Sequence, residues 1–150
     1  MSRTALLTLI LVLAFLGLAD ATYLAHSALT GSALSCGIDS VLDGCNVVAQ
    51  SAHSRVLGIP LAVYGVVFYA FLFMLSGLLL IISKRHFYHA LFVVAILGFL
   101  SSVYFIGLQI FVIKALCIYC LGSFVISLLI FVCALILYRR YMPHRIAVVA

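Results

Sequence analysis

The sequence contains no Trp and no Glu, and its only carboxylates are Asp20, Asp39 and Asp43. Hydrolysis by paired carboxylates and carboxylate-rich cation sites therefore lack their raw material. Charge of either sign is scarce, at 7% of 150 residues against 68% hydrophobic, whereas soluble domains are about 45 to 50% apolar. This is the composition of an integral membrane protein, read here as one domain, 1–150. The formal charge of +5 does not indicate nucleic acid, because the eight Lys and Arg form no stripe or arm of the kind that grips phosphates. No internal repeat or low-complexity segment is apparent beyond the apolar runs, and no soluble domain is expected after residue 138.

Crossing the hydrocarbon core takes about 20 apolar residues. Four runs qualify, at roughly 5–26, 59–82, 88–113 and 116–138, and they predict an all-α bundle of four transmembrane helices. The long polar segment 27–58 is rich in Ser and Gly and carries Cys36, Cys45, His53 and Arg55, and loops of this kind commonly mount functional groups. Six of the eight basic residues, Arg3, Lys84, Arg85, Arg139, Arg140 and Arg145, flank the apolar runs. By the positive-inside rule they are cytoplasmic, as are both termini, so loop 27–58 and connection 112–117 are external. A cleavable signal peptide ending at Ala19-Asp20-Ala21 is the rival reading of the first run. Against it, the apolar character resumes through "ATYLAHSAL", giving a segment long enough to span.

Cysteine is the conspicuous chemical resource. Of five, Cys36 and Cys45 lie in the external loop and Cys117 and Cys120 form a CxxC at the outer lip of the fourth run. Residues i and i+3 of a regular helix hold their Cβ atoms about 5 to 6 Å apart, too far for a disulfide, so the CxxC pairs only where the first turn departs from regularity. That end of a helix also favours a thiolate. Gly37 and Gly44 flank the loop pair and let it close and reopen. Two pairs on one side of a membrane suit a thiol–disulfide relay, and a lipid-phase acceptor of two electrons is a quinone. Structural disulfides, or a zinc site drawing on these cysteines and His53, are the competing uses. No His follows the CxxC, unlike a c-type haem site. Cys133, deep in the fourth run, reads as an apolar filler.

The stretch "CGIDSVLDGCNVVAQSAHSRVLGIPLAVYG" at 36–65, followed by "CIYC" at 117–120, resembles the prokaryotic homologues of the vitamin K epoxide reductase family over nearly the whole chain. The bacterial disulfide-bond protein B family has the two pairs in the opposite order. The resemblance implies an external half-helix that caps a quinone pocket, and a thioredoxin-like oxidase that forms its mixed disulfide with Cys36. Cys45 would then exchange with Cys117, and Cys120 would face the quinone. Ser51 matches the family's loop serine, a hydrogen-bond donor to quinone. Animal members use an Asn and a Tyr where Leu61 and Phe124 stand, a departure that speaks against epoxide reduction and leaves quinone reduction. Many bacterial members carry a fused thioredoxin-like domain, so a separate partner is expected here.

Asp20, within the first run, is a candidate pocket residue because ionisable groups inside membranes are functional by default. Tyr64 is a candidate quinone contact, although Tyr23, Tyr64, Tyr104 and Tyr119 also fit an interfacial belt. Arg55 and Lys114 stabilise thiolates or snorkel to headgroups. The expectation is a multi-pass thiol:quinone oxidoreductase of a prokaryotic plasma membrane, using ubiquinone or menaquinone and no metal, in support of disulfide formation. The alternative is a non-enzymatic membrane protein with structural disulfides or a Cys/His metal site.

Overall fold

The computed structural model describes residues 2–34 and 44–141. In chain order these form α1 (Arg3–Thr30), the short α2 (Cys45–Gln50), a 3-10 turn (Ala52–Ser54), strands β1 (Arg55–Val56) and β2 (Ile59–Pro60), α3 (Leu61–Ile81), α4 (Arg85–Leu108), a π-helical turn (Gln109–Ile113) and α5 (Ile118–Tyr141). α1, α3, α4 with its π turn, and α5 are long and apolar enough to cross a membrane. These are the four expected spans.

Their ends differ from the apolar runs for a simple reason: a hydropathy run stops at the first charge, and a helix does not. Arg3, Arg85, Arg139 and Arg140 all lie inside helices. α1 starts where the Ser2 hydroxyl accepts the Ala5 N–H at 3.2 Å and stops at Gly31, whose φ of +70° is the left-handed conformation that glycine adopts cheaply. Residues 59 and 60 belong to β2, paired antiparallel with β1, so the second helix begins at Leu61.

α1 packs on α3 and α5, and α4 packs on α5 and α3, closing a ring of four helices. One end of the ring is filled solid. Leu6, Leu7 and Ile10 of α1 meet Leu72 and Leu79 of α3, Leu91 of α4, and Ile130 and Leu137 of α5, each no more than 1% exposed. Arg3 donates to the Leu79 carbonyl there, and Tyr88 stacks on Tyr141. The outward faces are apolar too, with Val12, Phe15, Phe71, Met74 and Val93 exposed. A helix apolar all round is stable with lipid, not water, around it.

The opposite end is hollow. Leu34, Cys45 and Cys117 form a small buried cluster across it, and a cavity of about 380 Å³ opens beside that cluster. Tyr69 closes the floor between the packed half and the cavity: it is 3% exposed, and its hydroxyl bonds the Ser123 side chain at 2.7 Å and the Ser123 carbonyl at 3.0 Å. Gly17 makes room for its ring, since a Cβ there would overlap Tyr69 Cε1, Cδ1 and Cζ. The ring is held by its bonds to α5 and cannot swing away freely. Gly17→Ala is therefore expected to destabilise the bundle by about 1 to 3 kcal/mol. A lower midpoint of thermal unfolding in detergent would report this, while Gly107→Ala, with nothing near its Cβ, does not lower the midpoint.

Candidate active site at the hollow end of the bundle

The site is organised by the first turn of α5. The Cys117 carbonyl accepts the Leu121 N–H at 3.0 Å, which makes Cys117 the capping residue. Its sulfur takes the place of an N-cap oxygen, accepting the N–H of Cys120 at 3.5 Å and that of Tyr119. Cys117 thus stands at the cap, outside the regular helix that begins at Ile118. Both are free thiols, and Cys120 also donates to the Cys117 sulfur. This thiol hydrogen bond is the largest influence on Cys117 and lowers its pKa to about 7, with the two backbone N–H groups assisting. Burial and the charge of Asp20 oppose the shift.

Cys45 reaches the same place from α2. It is fully buried and disulfide-bonded, and it shares one cluster with Cys117, which is 2% exposed. Gly44 permits the approach, because a Cβ there would meet the Ala115 Cβ and the Leu116 carbonyl at 2.8 Å. Asn46 pins both flanks of the loop: its Oδ1 accepts the Leu34 N–H at 2.9 Å and its Nδ2 donates to the Leu34 carbonyl at 3.2 Å. Cys36, the fourth expected redox cysteine, lies outside the described residues.

The cavity is mainly apolar, and Asp20, Cys45, Ser51, Leu61, Tyr64, Cys117 and Cys120 all border it. Phe124 is not among its lining residues. Its ring packs 6.1 Å from Phe99, and the preceding Ser123 borders the cavity instead. Ser51 ends α2 rather than lying within it, and its hydroxyl donates to the Val48 carbonyl at 2.8 Å. Tyr64 likewise donates to the Val56 carbonyl at 3.2 Å. In this arrangement both oxygens offer a ligand lone pairs, not a proton. Asp20 differs, since its Oδ2 is buried with no hydrogen-bond partner among the described residues.

An apolar chamber of this volume, with a few polar groups at one wall, suits a flat hydrophobic ring bearing polar oxygens. No three His, Cys, Asp or Glu side chains converge as metal ligands among the described residues. His53 is exposed and sits at the cavity rim.

A dithiol beside such a chamber, within four spans, agrees with what the family comparison finds: the pattern of the vitamin K epoxide reductase family matches residues 8–135. The chain belongs to the vitamin K epoxide reductase family. Members of this family are membrane oxidoreductases whose substrates are quinones or vitamin K-type compounds. A search of curated proteins finds no match.

Three residues of this family member's site were not singled out from sequence. Tyr69 is one of eight tyrosines and lies mid-span, away from the belt positions. Ser123 follows Cys120 by three residues, one turn along the same face. Gln109 is one of two glutamines in the chain, and an amide inside an apolar run eight residues before the CxxC was the readable signal for it.

The low pKa of Cys117 has a direct consequence. Its thiolate is present above about pH 7 and is lost as pH falls below that. Thiolate absorbance, as the difference between the reduced chain and Cys117→Ser, should titrate with a midpoint near 7. In Cys120→Ala, which removes the largest lowering influence, the midpoint should rise.

Proposed function

We propose that the chain is a thiol:quinone oxidoreductase that reoxidises a separate thioredoxin-like protein and passes the electrons to a membrane quinone of the ubiquinone or menaquinone type. The observation that carries this reading is the shared burial of Cys45 and Cys117, with Cys120 bordering an apolar chamber. Water and soluble proteins have little access to Cys117 itself, at 2% exposure, so electrons from a soluble donor are best passed through the loop.

In the proposed relay, a thiolate of the partner attacks Cys36, breaking the Cys36–Cys45 disulfide and freeing Cys45. The partner's second thiol resolves the mixed disulfide and leaves Cys36 and Cys45 reduced. The Cys45 thiolate then attacks Cys117 of the Cys117–Cys120 disulfide, and Cys120 leaves with the electron pair. Cys36 attacks Cys45, and Cys117 departs. The depressed pKa of Cys117 makes it a good leaving group in that step. The dithiol so formed gives two electrons and two protons to the quinone and becomes a disulfide again.

The quinone supplies the two-electron acceptor, and the chain's own groups shape its surroundings. Asp20 offers a buried oxygen, without a partner among the described residues, that can take or return a proton. The Tyr69–Ser123 pair presents a polar edge on the cavity wall. Leu61, in place of an amide, supports quinone rather than epoxide as substrate. The proposed setting is the plasma membrane of a prokaryote, with the basic helix ends cytoplasmic and the cysteine end outside.

Cys120→Ala and Cys45→Ala should each abolish thiol-dependent quinone reduction, and a reduced partner lacking its resolving thiol should be held on the unaltered chain as a mixed disulfide at Cys36, with Cys45 as the leaving thiolate. Quinone absorbance with a reduced thioredoxin-like donor, and non-reducing gels of the adduct, measure the two effects. Full turnover by either variant would sink the relay. Absence of thiol-dependent quinone reduction in the unaltered chain would leave structural disulfides as the reading. An impermeant thiol reagent applied to intact cells should reach the loop and miss cysteines introduced at positions 84 or 140, and the opposite pattern reverses the topology.

A further inference from the structure

Gln109 stands at the point where α4 gives way to the π-helical turn, and it is 3% exposed. Its backbone carbonyl accepts the N–H of Lys114 and, at 3.2 Å, that of Ala115, which fixes the connection leading to the CxxC. Lys114 adopts a φ of +55° there, a left-handed conformation that a side chain bearing Cβ reaches only at a cost. A π turn interrupts the regular ladder and frequently marks a functional site.

The side chain does something different. Its Oε1 accepts the Cys117 N–H at 3.0 Å. Because that N–H needs an acceptor, the amide orientation is set, and Nε2 becomes the free end. The amide also lies within hydrogen-bonding reach of the Cys120 sulfur, and Gln109 borders the cavity together with both cysteines. One buried amide therefore addresses both members of the pair.

We propose that Gln109 is the positioning residue of the Cys117–Cys120 pair, its oxygen holding the Cys117 backbone and its N–H group holding the Cys120 sulfur at the cavity wall. This rests on the thiol:quinone reading above and adds a means of setting the pair's redox balance. In the reduced pair a proton is shared and negative charge resides on sulfur, while in the disulfide that charge is gone. A donor aimed at the sulfurs favours the dithiol, so its loss favours the disulfide. A residue that merely capped the Cys117 N–H would leave this balance where it is.

The test uses the full chain in lipid nanodiscs, equilibrated with reduced and oxidised glutathione, with the Cys117–Cys120 peptide quantified by alkylation and mass spectrometry. Q109M removes both contacts. Q109E keeps an oxygen for the Cys117 N–H and, at pH 8, lacks the donor. Both should shift the pair toward disulfide by about tenfold, equivalent to about 30 mV, and both should slow reduction of a water-soluble benzoquinone. An equilibrium within about twofold of the unaltered chain in a folded variant overturns the proposal. So does loss of the fold in both variants, which would make Gln109 a structural cap. If the unaltered chain reduces no quinone, the functional reading fails, while the glutathione equilibrium still decides the role of Gln109.

Discussion

The N-terminus of α5 is the constraint on which the site depends. A helix begins with N–H groups that have no partner within the helix, and in a bilayer such groups cannot be left to water. Here two of them, those of Tyr119 and Cys120, are satisfied by the sulfur of Cys117. The requirement to close a helix end in an apolar setting and the requirement to make a reactive thiolate are met by the same atom. The pKa near 7 follows from that arrangement: the donors that the backbone must satisfy are the donors that stabilise negative charge on sulfur, with the Cys120 thiol adding the largest share.

From this point the asymmetry of the bundle follows. The half remote from the CxxC is filled by leucine and isoleucine from all four long helices, with Cys133 packed among them. The cysteine half can then remain hollow. Tyr69 marks the border, with its ring accommodated by Gly17 and its hydroxyl anchored to Ser123. A hollow end in a four-helix bundle needs the other end well packed and a floor that does not collapse. Both are visible in the residues named.

Much of this was legible in the sequence, and the reasons differ by level. Four spans could be read because lipid imposes length and apolarity on every crossing segment. Their ends could not, because Arg3, Arg85, Arg139 and Arg140 continue helices past the point where hydropathy falls. The CxxC was readable from spacing, and its placement at a helix lip followed from the span boundaries. Gln109 was readable as an amide in an apolar run, but which residues partner the CxxC was not readable. Gln109 and Tyr69 come from other helices, and what brings them to Cys117 and Ser123 is the π turn and the packing of α3 on α1, neither of which has a local pattern. Phe124 illustrates the same limit. It stands where the resemblance implies a quinone contact, whereas the helix phase turns its ring to Phe99 and leaves Ser123 on the cavity.

The placement of the polar groups also bears on how a site in lipid can hold charge at all. A thiolate, a carboxylate oxygen without a partner and a phenol are each costly in an apolar medium, and here they face one chamber instead of being scattered through the spans. Gathering them lets each compensate the others. Cys117 draws on backbone N–H groups and on Cys120, Cys120 is in reach of Gln109, and Tyr69 is bonded to Ser123. Among the described residues, Asp20 is the one with a buried oxygen that has no partner. Where the other groups are matched, this oxygen is the one with hydrogen-bonding capacity to spare.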